Sequence, residues 1–128
     1  MKWGETVASK CRWGHIVKGF LDKRYGAVEV VWEESENDYQ GSAKFLAKVA
    51  KTNKYVYYEW TYGSCEGCDT WHNQDVGSIE TEIEKTIAEY TFDGLKNWLT
   101  MLEDRRNVPD WDDSRMEAIR REVAPHDL

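Results

Sequence analysis

Cys65 and Cys68 lie in the run Tyr62-Gly63-Ser64-Cys65-Glu66-Gly67-Cys68-Asp69 and are two of the three cysteines in the chain. A Cys-x-x-Cys turn supplies two of the four ligands of a tetrahedral zinc site, because both thiolates reach one ion at that spacing. The same spacing serves thiol–disulfide exchange when the first thiol has a lowered pKa. Here Glu66 and Asp69 flank the pair, and nearby carboxylates raise a thiolate's pKa, which disfavours the redox use. Two further ligands are available in Cys11 and His15. On a helix they share one face with Cβ atoms about 5–6 Å apart, whereas on a strand they stand about 13 Å apart. The expected zinc site is therefore Cys11, His15, Cys65 and Cys68, with Asp69 and His72 as local substitutes. The plain structural alternative is a pair of reduced cysteines in a glycine-rich turn.

The elements that must position these residues are read from periodicity. Trp13, Ile16, Val17, Phe20 and Leu21 recur at helical spacing and predict a first helix over Ser9 to Arg24, stopped by Gly26. Ala27 to Trp32 is a β-branched run ended by the acidic stretch 33–38. Ala43, Phe45, Ala47 and Val49 alternate with Lys44 and Lys48, and Tyr55 to Tyr62 is rich in aromatic residues. Residues 42–62 therefore read as a hairpin turning near Asn53. Ile79, Ile83, Ile87 and Tyr90 predict a helix over 78–90 with Ser78 as N-cap. Leu95, Trp98, Leu99 and Leu102 predict another, ending at Arg105 and Arg106, and Asp112 caps a last helix through Met116, Ile119 and Val123. The fold class is α+β: a small antiparallel sheet of three or more strands with an N-terminal helix and a C-terminal three-helix group.

At 128 residues the chain supports one hydrophobic core, so 1–128 reads as a single domain. No apolar run is long enough for a membrane span, and Met1 to Glu5 lacks a signal-peptide pattern, which places the protein in the cytoplasm, in a reducing setting. A net charge of −7 argues against direct nucleic-acid binding and for a basic protein partner. Charge is also unevenly spread: residues 1–26 carry six basic and two acidic side chains, and 63–93 carry eight acidic ones against Lys85. Asp69, Asp75, Glu80, Glu82, Glu84 and Glu89 form the candidate contact surface, since carboxylates steer a basic partner at long range. Seven tryptophans and seven tyrosines predict some exposed aromatic surface. No nucleophile elbow, phosphate-binding glycine loop or His-Glu-x-x-His helix is present.

The turn Asp38-Tyr39-Gln40-Gly41 followed by the Tyr62 to Asp69 run resembles a set of small uncharacterised phage and bacterial proteins with a Tyr-Gly-Ser-Cys-x-Gly-Cys-Asp loop. The resemblance covers residues 38–69, Glu66 departs from the usual serine, and a phage or prophage setting is what it implies. In size, charge and cysteine pair the chain also looks like the small acidic inhibitors that phages direct against host nucleases, including zinc-containing anti-CRISPR proteins. That likeness implies a non-catalytic inhibitor in the cytoplasm of the bacterial host, bound to a defence protein such as a CRISPR effector nuclease. The alternatives are a thiol-disulfide oxidoreductase using Cys65 and Cys68, or a structural or stress protein.

Overall fold

The β-rich segments become three neighbouring antiparallel strands, β1 (Val28–Ser35), β2 (Gly41–Val49) and β3 (Tyr55–Tyr62), in a computed structural model that describes residues 1–36, 40–63, 69–71, 73–104 and 113–124. A short fourth strand, β4 (Ala88–Tyr90), pairs antiparallel with Tyr55 to Tyr57 and completes the order β1-β2-β3-β4. The helices are α1 (Gly14–Arg24), α2 (Val76–Thr86), α3 (Phe92–Asp104) and α4 (Asp113–Val123), preceded by two 3-10 turns at Trp3–Glu5 and Ala8–Lys10. The chain is therefore α+β. The β2–β3 hairpin turns at Asn53, whose φ of 57° is the left-handed conformation that asparagine tolerates best after glycine.

The sheet is covered on both faces. Phe45, Val56, Tyr58 and Trp60 pack on one side against Trp3, Ile16, Val17, Phe20 and Leu21, with Ile79 and Ile83 of α2 beside them. Leu46 and Tyr55 face the other side with Leu95, Leu99, Met116 and Ile119 of α3 and α4. β1 serves both layers because its register shifts between Val30 and Trp32. Strict alternation would send Val28, Val30 and Trp32 to one face. The extra residue turns Trp32 over. Trp32 then joins α4, donating from Nε1 to Ser114 Oγ at 3.0 Å, while the Arg115 guanidinium lies over the rings of Trp32, Tyr57 and Trp98 at 5.8, 5.7 and 5.3 Å.

Three expectations are corrected. The first helix does not begin at Ser9: a 3-10 turn ends at Lys10, Trp13 takes φ 76°, and α1 starts at Gly14. The helix expected over 78–90 starts at Val76, is capped by Asp75 rather than Ser78, and ends at Thr86. Residues 88–90 leave the helical path because pairing with β3 satisfies backbone groups that a frayed helix end leaves open. Tyr90 then stacks on Trp98 with centroids 4.8 Å apart. As a result, α2 packs with α1 on one face of the sheet and does not group with α3 and α4, which pair on the other. The described aromatic residues are all buried or half-buried, so the expected exposed aromatic surface is not found among them.

The tight junction of the 3-10 turn with α1 is testable through two glycines. A Cβ on Gly14 would come within 2.6 Å of the carbonyl oxygens of Ala8 and Ser9, whereas one on Gly19 meets no atom within 4 Å. Urea denaturation should show Gly14→Ala destabilised by about 1–3 kcal/mol through overpacking. Gly19→Ala should gain about 0.5–1 kcal/mol through helix propensity. Equal responses from the two variants would contradict the packing described.

Candidate functional site

The two flanks of the cysteine run, Gly63 after β3 and Asp69, are both held by the segment 11–13. Arg12 Nη1 donates to the carbonyl of Gly63 at 2.9 Å and to Asp69 Oδ2 at 3.3 Å. Asp69 Oδ1 accepts from Trp13 Nε1 and from the Trp71 backbone N–H, each at 2.9 Å. The Asp69 side chain is 1% exposed, so its charge is desolvated and needs these three donors. Trp60 Nε1 donates to the Arg12 carbonyl at 2.8 Å, fixing the clamp to the sheet.

This constellation explains the left-handed backbone of Trp13. A bulky residue with positive φ costs about 1–3 kcal/mol and persists only where its surroundings over-determine it. Here the indole bonds Asp69, meets the Trp71 ring edge-on at 6.3 Å, and carries the Arg12 guanidinium at 5.5 Å. Trp71 in turn stacks on Tyr58 and Trp60 at 6.1 and 6.0 Å. The clamp thus ties an N-terminal turn, the end of β3 and the segment entering α2 into one aromatic block. Asp69 accepting from the N–H two residues on is an Asx turn, the one local signal in the sequence for this arrangement.

The proposed zinc ligands separate into two groups. Cys65, Cys68 and His72 lie outside the described residues. Cys11 and His15 do not share a helix, because α1 begins at Gly14. Cys11 is 4% exposed and His15 is exposed. The Cys11 thiol sits 3.3 Å from the Glu36 carbonyl and 3.4 Å from that of Val7, and accepts from Tyr62 OH at 3.6 Å. Burial pushes its pKa up; the Tyr62 hydrogen bond opposes this, and the charges of Glu33 and Glu36 add to it. The buried Cys11 thiol is thus engaged within the chain, between the Val7 and Glu36 carbonyls and the Tyr62 hydroxyl. Asp69 spends its carboxylate on the clamp, so it fits neither as a substitute ligand nor as a contact residue on the surface. Among the described residues no group of three His, Cys, Asp or Glu side chains is arranged to hold a metal.

The acidic surface is also largely engaged within the chain. Lys23 pairs with Glu80 at 3.0 Å, and Arg24 pairs with Glu84 at 3.4 Å and Glu89 at 3.6 Å. Tyr25 OH donates to Glu89 at 2.6 Å. Asp75 caps α2 by accepting from the Ser78 N–H at 2.7 Å, which holds its pKa below the usual carboxylate range. Of the six contact candidates only Glu82 is exposed with a carboxylate that has no partner among the described residues. The basic end of α1 and the acidic α2 therefore explain each other. No helix among the described residues is long and apolar enough to cross a membrane.

Compared with protein families, curated proteins and solved structures, the chain finds no match.

Two measurements test the clamp. Asp69→Asn keeps an oxygen for Trp13 and Trp71 but turns an amide toward Arg12, and should cost about 1–3 kcal/mol in urea denaturation with a shift in tryptophan emission. Arg12→Ala, at a guanidinium more than half exposed, should cost at most about 1 kcal/mol. In a chain carrying Cys65→Ser and Cys68→Ser, Cys11 should react with Ellman's reagent only after unfolding; rapid reaction in native protein would contradict its burial.

Proposed function

We propose that the protein is a non-catalytic, acidic binding module of phage origin that blocks a basic surface of a host nucleic-acid-processing defence protein, with zinc at Cys65 and Cys68 stabilising the loop that carries them. The observation that carries this reading is the clamp on Gly63 and Asp69. Binding residues are characteristically placed on loops that a rigid scaffold positions. The flanks are tethered here at Gly63 by Arg12 and at Asp69 by Arg12 and Trp13. His15, which is exposed, and His72 are the remaining candidate ligands, because Cys11 and Asp69 are engaged elsewhere. With Cys65 and Cys68 these make the four ligands that complete a structural zinc site.

The internal ion pairs narrow the contact surface without changing the net charge of −7 that steers a basic partner. Glu80, Glu84 and Glu89 are drawn into the fold, which leaves Glu82 as the carboxylate of this surface open to a partner. The partner class remains that of the sequence reading: a protein with a basic surface such as a CRISPR effector nuclease, in the bacterial cytoplasm.

Elemental analysis of protein purified without added metal should give about one zinc per chain, and chelation should lower the melting temperature, since structural zinc contributes directly to folding. Metal-free protein with an unchanged melting temperature would remove zinc from the proposal. Binding to a candidate basic partner should weaken steeply as salt rises. Indifference to ionic strength would remove the electrostatic contact.

A further inference from the structure

Among the described residues the outer edge of β3 is closed at both ends and open between them. At one end Tyr57 pairs with Ala88 of β4. At the other, the Thr70 N–H donates to the Thr61 carbonyl at 3.1 Å, and the Thr61 N–H donates to Thr70 Oγ1 at 3.0 Å. Thr61 therefore directs its N–H and C=O away from β2. Consistently, Ser42, its partner across the β2–β3 ladder, gives its carbonyl to Glu36 on the β1 side at 3.0 Å. Because backbone direction alternates along a strand, Glu59 points the same way as Tyr57 and Thr61. Neither β4 nor Thr70 reaches it, so its N–H and C=O face outward with no partner strand among the described residues.

A cavity of about 320 Å³ lies at this gap, lined by Tyr58, Glu59, Thr70, Glu82, Thr86 and Ala88. Its chemistry is one-sided. Glu82 brings a carboxylate that has no partner among the described residues, while the Glu59 carboxylate lies with Tyr57 on the other face of the strand, where it accepts from Tyr57 OH at 2.9 Å. The C-terminal end of α2, ending at Thr86, adds the negative pole of a helix. No Lys or Arg lines the cavity. An unpaired strand edge is a template for another chain, and here the template is short and acidic.

We propose that this gap is the docking site for an extended, lysine- or arginine-bearing segment of a protein partner: one residue of that segment forms a β-bridge with Glu59, and its cationic neighbour meets Glu82. The proposal rests on the reading of the protein as an acidic module for a basic partner and names the point of contact. A single residue fits, because the distance from Tyr57 to Thr61 is about 13 Å along a strand and both ends are occupied. Specificity follows from sign, and orientation from the paired backbone donor and acceptor.

The test uses the full-length protein and an acetylated, amidated five-residue peptide of alternating lysine and valine, followed by amide NMR. Binding should be saturable, with the largest shift and slowed hydrogen exchange at the Glu59 amide. Glu82→Gln should weaken binding by about three- to five-fold at low salt, the range of an exposed ion pair. Glu84→Gln, whose carboxylate is paired with Arg24, should leave it unchanged. The same peptide with glutamate for lysine, or with backbone N-methylation, should not bind. Equal binding of either control peptide, or no saturable shift at Glu59 at millimolar peptide, overturns the proposal. Such a failure is separable from failure of the function proposed above, because salt-dependent binding of a folded basic partner would persist through another face.

Discussion

The carboxylate of Asp69 is the point at which two distant parts of the chain, residues 12–13 and 69–71, are made to agree. It is desolvated, and a desolvated charge costs several kcal/mol unless hydrogen bonds replace its water. The donors come from Arg12, Trp13 and the backbone of Trp71, so the N-terminal turn, the flank of the cysteine run and the approach to α2 are set together. The strained φ of Trp13 and the close contact at Gly14 follow from that requirement. The interaction with Arg12 is the weaker part, since the guanidinium is half in water. The bonds from Trp13 and the Trp71 backbone are the shorter ones, each 2.9 Å.

The uneven distribution of charge along the sequence has an internal cause. A basic helix end and an acidic helix separated by almost sixty positions are brought side by side, and the pairs Lys23–Glu80 and Arg24–Glu84 are each 3.0–3.4 Å long. These pairs are exposed enough that each adds at most about 1 kcal/mol. Their importance is in registry: they favour one placement of α2 against α1 and penalise others through like-charge contact.

Much of the architecture was legible because local pattern and burial agree. The alternation of Ala43, Phe45 and Ala47, the turn at Asn53 and the stripe of Leu95, Leu99 and Leu102 each state their element directly. What was not legible depends on neighbours far away in sequence. Residues 88–90 continue a helical spacing, and only the open edge of β3 makes them a strand. The break at Trp13 depends on Asp69, and the inversion of Trp32 on a register shift set by its pairing with Leu46. Of the candidate site, the cysteine pair lies outside the described residues, Asp69 reads in the sequence as a ligand or contact although its hydrogen bonds make it an anchor, and the edge of β3 at Glu59 carries no compositional signal.

The sharing of β2 between both layers has a further consequence. Phe45 belongs to one core and Leu46 to the other, and both are fully buried. Losing either helical layer would strip water-excluding cover from the same strand and expose its opposite neighbours to solvent. The two layers therefore share one strand as a common wall, and a small domain built this way is expected to unfold cooperatively.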